Sequence, residues 1–130
     1  MNTILDASVL VNLLIGESNK QTKAIAAIKR KGLKCISSFT FIEVLNSLRY
    51  ELKDLQLVLN SIEKLNSLEL KVLEVDQNIL TAALKISLKV NDTIYDASYH
   101  ALALIYDLTF VTFDERYYRK AKALGNIQLL

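Results

Sequence analysis

The chain has 130 residues, of which 52% are hydrophobic and 23% charged, with 16 Lys and Arg against 14 Asp and Glu. This length suits one domain, and the composition excludes a disordered tail. The net charge of +2 excludes a strongly basic, histone-like mode of nucleic-acid binding. A single cysteine, Cys35, excludes an internal disulfide and a four-thiolate zinc site. With no signal peptide and no membrane-length apolar run, we expect a cytoplasmic single domain, residues 1–130.

Strand-like and helix-like segments alternate along the sequence, judged by apolar periodicity and by the positions of glycine. In chain order they are strand 3–5, helices 7–15 and 20–31, strand 33–36, helices 40–51 and 55–65, strand 70–75, helices 76–90 and 93–106, strand 108–112, helix 115–124 and strand 126–129. Strands separated by helices are typical of a parallel sheet that is covered on both faces. We therefore expect an α/β fold, a three-layer α/β/α sandwich with a central parallel sheet.

Four acidic residues stand where such a sheet binds ligands, at the edge formed by the carboxyl ends of its strands. Asp6 closes the first strand, and Asp114 stands just beyond the fourth. Asp96 lies in the first turn of the helix before that strand, and Glu43 lies early in a helix among apolar neighbours. No Lys or Arg lies three or four residues from Glu43 or Asp96, so neither acid has a cation on its own helix.

Each of these acids also has a purely structural interpretation. Asp6 and Asp114 each precede a helix and suit an N-cap. Asp96 suits the positive end of its helix dipole, and Glu43 suits an outward-facing position on an amphipathic helix. Together, however, the four acids predict a cation site, because several carboxylates in one cleft repel one another and favour a divalent cation. All-oxygen ligands suit Mg²⁺ or Mn²⁺ rather than zinc.

Four short motifs follow one another along the chain. They are Asp6-Ala7-Ser8, Phe41-Ile42-Glu43-Val44, Tyr95-Asp96-Ala97-Ser98-Tyr99 followed by Ala101-Leu102-Ala103, and Val111-Thr112-Phe113-Asp114-Glu115-Arg116. These motifs resemble the PIN-domain ribonuclease family and, within it, the small VapC-type toxins of prokaryotic toxin–antitoxin pairs. They span nearly the whole chain, in order and with family-like spacing. The resemblance implies a PIN-like fold and a metal-dependent endoribonuclease that hydrolyses RNA phosphodiester bonds.

The resemblance also implies roles for particular residues and partners. The acidic quartet of the family, as catalytic residues and ligands of Mg²⁺ or Mn²⁺, falls on Asp6, Glu43, Asp96 and Asp114. Ser8 and Thr112 match residues that often support this site. An RNA substrate, a cognate antitoxin protein that blocks the site and a homodimer are implied as partners, and no membrane is expected.

Two residues beside Asp96 need separate interpretations. His100, one turn after Asp96, departs from the small or β-branched residue that is more common in the family. We expect it to be a packed or hydrogen-bonded helix histidine, with assistance to a proton transfer as the alternative. Asp92, one turn before Asp96, is interpreted as an N-cap or solvent-facing residue in preference to a second acid behind the site.

Basic residues form two strips along the sequence. They are Lys29-Arg30-Lys31 with Lys34, and Arg116, Arg119, Lys120 and Lys122. Such a strip is either a solvated face or a contact for the RNA backbone, and the sequence leaves both open. Tyr117 and Tyr118 fit base stacking, and they fit core or dimer packing at least as well.

Two other classes of function stay open at this point. A receiver-type signalling domain also combines an α/β fold with clustered acids. It requires paired acids after the first strand and a Lys at a set place after a late strand, however, whereas Asp6 has no acidic neighbour and no Lys stands at that place. A catalytically silent PIN-like module that binds RNA or protein is the second, and the complete quartet argues against it. A nucleotide-binding enzyme is disfavoured because the chain has no Gly-rich phosphate loop.

Overall fold

Five parallel strands form the centre of the computed structural model, which describes residues 1–130. They are β1 (Thr3–Leu5), β2 (Lys34–Ser37), β3 (Lys71–Leu73), β4 (Thr109–Thr112) and β5 (Ile127–Leu129). Their order in the sheet is β3-β2-β1-β4-β5, and every neighbouring pair is parallel. The chain adds strands first on one side of β1 and then on the other. The topological switch point therefore lies at β1 and β4, and ligands bind at such a point in open α/β sheets.

Seven α-helices connect and cover the strands. They are α1 (Ala7–Ile15), α2 (Ser18–Lys29), α3 (Thr40–Leu52), α4 (Leu55–Ser67), α5 (Gln77–Val90), α6 (Ile94–Tyr106) and α7 (Glu115–Ala121), with a short 3₁₀ helix at Lys122–Leu124. None of these helices has both the length and the hydropathy that crossing a membrane requires. The expected alternation of strands and helices is confirmed for every segment.

The two faces of the sheet bury separate cores, because successive side chains of a strand point to opposite faces. Ile4 of β1 and Phe110 of β4 belong to the core under α5, α6 and α7. Their neighbours Leu5 and Val111 belong to the core that α1 to α4 cover. Both faces are thus covered by helices, and the expected three-layer α/β/α sandwich is confirmed.

The observed boundaries differ from the predicted ones mainly at helix ends and at the sheet edge. Helix α2 ends at Lys29, and Gly32 then turns the chain at a φ of +109°. A Cβ at this glycine would lie 2.3 Å from the carbonyl oxygen of Met1, so the position requires glycine. Strand β3 keeps only Lys71–Leu73 because it is an edge strand that pairs with β2 alone.

Candidate active site

Asp6 is a buried carboxylate at the carboxyl end of β1, with only 5% of its surface exposed. It is the N-cap of α1, and its Oδ1 accepts the backbone N–H of Ser8 at 3.0 Å and the hydroxyl of Ser8. Its Oδ2 accepts the hydroxyl of Thr112, which lies at the end of the neighbouring strand β4. The N-cap interpretation of Asp6 is therefore confirmed. Its second oxygen faces the switch point between the two strands.

Asp114 lies on the same edge and is tied to Asp6 through Thr112. The backbone N–H of Asp114 donates to the Oγ1 of Thr112 at 3.0 Å. Its side chain caps α7 by accepting the N–H of Tyr117 on Oδ1 at 3.0 Å. Ser8 and Thr112, the two residues expected to support the site, thus both hydrogen-bond Asp6, and Thr112 also fixes the backbone of Asp114.

Asp96 is oriented by a residue that the sequence analysis did not select. Thr93 is the N-cap of α6, and its hydroxyl oxygen accepts the N–H of Asp96 at 3.3 Å and donates to Oδ2 of Asp96 at 3.2 Å. A Thr followed three residues later by an acid is the signature of a capping box. The Thr93-Ile94-Tyr95-Asp96 spacing was a local signal that could have identified Thr93.

Glu43 is half-buried in the first turn of α3 and is held by Tyr99. The Tyr99 hydroxyl donates to Oε1 of Glu43 at 2.7 Å. It lies 2.9 Å from the hydroxyl of Thr40, whose oxygen accepts the backbone N–H of Ser37 at 2.9 Å. This network joins α3 to α6 over 56 residues of sequence. No local pattern identifies Tyr99, because its partner is set by the packing of two helices.

The electrostatics of this edge disfavour ionised carboxylates. Burial raises the pKa of Asp6 to about 6, with a further contribution from the charge of Glu43 and with opposing hydrogen bonds from Ser8 and Thr112. Burial raises the pKa of Asp96 to about 7, and the charges of Asp114 and Asp6 add to the effect. Burial also raises the pKa of Glu43, against the Tyr99 hydrogen bond. The acids therefore repel one another and lack a cation of the chain.

The residues at this edge fit a divalent cation by the chemistry of their donors. Carboxylate oxygens are the ligands that Mg²⁺ and Mn²⁺ take, and the four acids are contributed by four different elements. No group of three His, Cys, Asp or Glu side chains lies at metal-binding spacing, however. The structure thus gathers acids that influence one another electrostatically without forming a complete ligand shell.

Asp92 is a buried acid with two cationic neighbours. Its side chain is fully buried, and Arg116 Nη2 donates to its Oδ1 at 3.2 Å while Lys120 Nζ lies 3.5 Å from its Oδ2. Burial raises the pKa of Asp92, but the Thr93 N–H and the charges of Arg116 and Lys120 outweigh it and lower the pKa. The interpretation as an N-cap or solvent-facing residue was wrong, because Thr93 caps α6 and two cations from α7 cover the carboxylate.

His100 and Tyr117 are core residues. His100 is fully buried, and its Nε2 donates to the carbonyl of Gly125 at 2.7 Å. Its Nδ1 therefore accepts from the hydroxyl of Tyr117 at 2.9 Å. Burial lowers the pKa of His100, which favours this neutral form. The expected packed histidine is confirmed. Tyr117 has no exposed surface and is not available for base stacking.

A groove that none of the four acids lines lies between the end of α3 and α4. It has a volume of about 910 Å³ and is lined mainly by apolar side chains, with Arg49 and Lys53 at its border. Tyr50 and Leu55 in this groove are 71% and 74% exposed. A groove with this lining fits an apolar polypeptide surface better than a polar small molecule.

Comparison with known proteins defines the class first. The structure is a parallel α/β/α domain with an acidic switch point, and the family model of the PIN domain matches residues 3–123. The chain belongs to the PIN domain family. No curated protein matches its sequence.

Solved structures agree with this assignment. A chain of a toxin–antitoxin complex from Klebsiella pneumoniae has a TM-score of 0.74 at 15% identity, covering 97% of this chain and 95% of that one. VapC20 from Mycobacterium tuberculosis, a Sarcin–Ricin loop cleaving toxin, has a TM-score of 0.74 at 13% identity, covering 98% of both chains. PAE2754 from Pyrobaculum aerophilum has a TM-score of 0.73 at 28% identity, covering 98% of this chain and 83% of that one.

Proposed function

We propose that this protein is a divalent-metal-dependent endoribonuclease and the toxin of a toxin–antitoxin pair. The observation that carries the proposal is the acidic edge. Asp6, Glu43, Asp96 and Asp114 come from four elements of a PIN domain, and burial together with mutual repulsion raises the pKa of Asp6 and Asp96. A divalent cation stabilises the ionised form of carboxylates that are buried and repel one another.

Asp6, Glu43, Asp96 and Asp114 are the proposed metal ligands and catalytic residues. These residues would hold Mg²⁺ or Mn²⁺, which would contribute activation of a water molecule and neutralisation of charge on the phosphate. Ser8 and Thr112 orient the Asp6 carboxylate through their hydroxyls, Thr93 orients Asp96, and Tyr99 orients Glu43. The chain itself thus supplies a preorganised set of oxygen donors, and no side chain is required as a covalent nucleophile.

The similar structures support an antitoxin partner. VapC20 is a Sarcin–Ricin loop cleaving toxin, and the similar chains from Klebsiella pneumoniae, Rickettsia felis and Salmonella typhimurium come from toxin–antitoxin or VapBC complexes. We infer RNA as substrate, an antitoxin protein as inhibitor and a homodimer as the assembled form. The apolar groove between α3 and α4 suits a protein partner.

The test is cleavage of mixed cellular RNA by the purified protein with Mg²⁺, with Mn²⁺ and with a chelator. We expect cleavage only with a divalent cation, and mapped cut sites report the sequence preference. Asp6→Asn and Asp96→Asn should each lower the rate by at least about 100-fold, because each removes a charged oxygen donor from the cation.

Asp107→Asn is the matched control, because Asp107 ends the same helix that carries Asp96 near its start. Its backbone is left-handed, at a φ of +54°, a conformation that Asn also accepts. This variant should cleave at the rate of the unsubstituted protein. Cleavage that persists in both Asp6→Asn and Asp96→Asn, or that needs no cation, would refute the proposal.

A catalytically silent PIN module is the second candidate. The absence of three ligand side chains at metal-binding spacing favours it. The same assay separates the candidates, because a silent module binds RNA without cutting it under any of the three conditions.

A further inference from the structure

Arg116 and Lys120 of α7 form a basic pair on a buried carboxylate. Arg116 donates to Oδ1 of Asp92 at 3.2 Å, and Lys120 donates to the carbonyl oxygen of Asn91 at 2.8 Å while facing Oδ2 of Asp92. Asp92 is itself fixed, because its Oδ1 accepts the N–H of Thr93 and its carbonyl accepts the hydroxyl of Ser87. The pair is therefore held by a rigid anchor at the junction of α5 and α6.

This arrangement leaves positive charge at the surface. One carboxylate faces two cations, so the group carries one net positive charge. The Asp92 side chain is fully buried, whereas 65% of the Arg116 side chain is exposed. Arg116 binds Asp92 through Nη2 alone, and a guanidinium has five N–H groups. Its other donors are free to bind an anion from solution.

The basic pair lies beside the acidic edge. Arg116 follows Asp114 by two residues in the first turn of α7, and Asp92 precedes Asp96 by four residues. The charge of Asp92 also acts on Asp96, which places the anchor within electrostatic range of the proposed catalytic acids. A polyanion that reaches the acids is repelled there, and Arg116 is a cation held nearby by a fixed anchor.

We propose that Arg116, with Lys120 beside it, binds a backbone phosphate of the RNA next to the bond that the acidic edge cuts. The inference deepens the proposed function and rests on it for the nature of the substrate. A guanidinium held on one side by a carboxylate presents its remaining N–H groups in a planar fork, which matches the oxygens of a phosphate. Fixing the side chain beforehand lowers the entropy that binding costs.

Arg119 of the same helix is the matched control. It carries the same charge and is 71% exposed, but it pairs with Glu115, which is itself 61% exposed on the same surface of α7. Arg119 thus pairs with an exposed acid four residues earlier and has no buried anchor. A phosphate site at the basic pair requires Arg116 and not Arg119, whereas a diffuse basic surface requires both equally.

The experiment measures binding of a fluorescent single-stranded RNA to Asp6→Asn protein in a chelator, so that no strand is cut. Into this background we introduce Arg116→Gln, Arg116→Lys and Arg119→Gln. Arg116→Gln should weaken binding about 5- to 10-fold at about 0.1 M salt and reduce the slope of log affinity against log salt by about 0.7. Arg119→Gln should change affinity less than about 2-fold.

Arg116→Lys keeps the charge beside Asp92 and loses the fork, so it should retain the salt slope and weaken binding about 2- to 3-fold. If thermal unfolding shows that Arg116→Gln is not folded, Arg116→Lys replaces it in the binding experiment. Equal effects of Arg116→Gln and Arg119→Gln, or an Arg116→Lys affinity equal to that of its parent, would overturn the inference.

Cleavage by otherwise unsubstituted protein separates this inference from the proposed function. If Arg116→Gln and Arg119→Gln cut RNA equally well with Mn²⁺, the nuclease function is supported and the phosphate site is refuted. If RNA binding depends on Arg116 but no RNA is cut under any condition, the phosphate site is supported and the nuclease function is refuted.

Discussion

Asp92 precedes Asp96 by four residues, just before the N-cap of α6, and the fold places their carboxylates in opposite electrical environments. Asp96 faces the charges of Asp114 and Asp6, and burial and repulsion raise its pKa to about 7. Asp92 is fully buried but faces Arg116 and Lys120, and its pKa is lowered. The protein thus pairs Asp92 with two of its own cations and gives Asp96 only acidic neighbours. That difference distinguishes a carboxylate that anchors cations from one that we propose to be catalytic.

The largest effect expected from this comparison is stabilisation by a divalent cation. At a Mn²⁺ concentration of about 100 times its Kd, binding to the folded chain should raise the free energy of unfolding by about 2.7 kcal/mol. Asp96→Asn should lose most of this gain because it removes a proposed ligand. Chemical unfolding with and without Mn²⁺ measures it, with Asp107→Asn as the control. An equal gain in Asp96→Asn and the unsubstituted protein contradicts the assignment.

The next effect concerns the cations of Asp92. Replacing both Arg116 and Lys120 with Gln should lower the free energy of unfolding by about 2 kcal/mol, because a buried carboxylate loses both of its partners. Adding Asp92→Asn should recover much of the lost free energy of unfolding, because it removes the buried charge. Urea unfolding of the three proteins tests this pair of expectations. A triple variant as unstable as the double one would show that Asp92 is not the group that the cations compensate.

A smaller effect is the pH dependence of the metal-free protein. A carboxyl whose pKa is raised by folding binds its proton more tightly in the folded state, so stability increases as pH falls through the raised pKa toward the unfolded value. Asp6 and Asp96 should therefore together raise the free energy of unfolding by about 2 kcal/mol between about pH 7.5 and about pH 5, with the contribution of the more exposed Asp96 reduced by solvent screening. Asp92 opposes this trend only at lower pH, because its pKa is lowered.

Urea unfolding in a chelator at several pH values measures this dependence. Asp96→Asn should flatten the profile and raise stability at the upper end of the range. A stability that falls as pH decreases through this window would show that these acids are not destabilised by burial.

The smallest effect is expected at the exposed pair of α7. Glu115→Gln should change the free energy of unfolding by less than about 0.5 kcal/mol, because Glu115 and Arg119 are both solvated and one turn apart. The same urea unfolding measurement applies. A loss as large as that of the Arg116 and Lys120 double variant would remove the distinction between a buried anchor and a surface pair.

The candidate site was predictable in part because two kinds of signal in the sequence are local. Asp6 and Asp114 follow apolar strands, and the carboxyl ends of parallel strands share one edge. Thr93 was also recoverable from its spacing to Asp96. Tyr99 was not, since its hydrogen bond to Glu43 joins residues 56 positions apart. Asp92 was misinterpreted for the same reason, because its cations lie 24 and 28 residues further along the chain.

The sequence by itself determined the order of strands and helices, the apolar face of each helix and the acids at the strand ends. These features depend on periodicity and on neighbours within a few residues, where backbone geometry fixes which side chains share a face. Only the tertiary structure decided that Thr112 bonds Asp6 across 106 residues and that two cations cover Asp92. Such contacts depend on strand order and helix packing, so the local pattern that places an acid on the edge does not determine its charge partners.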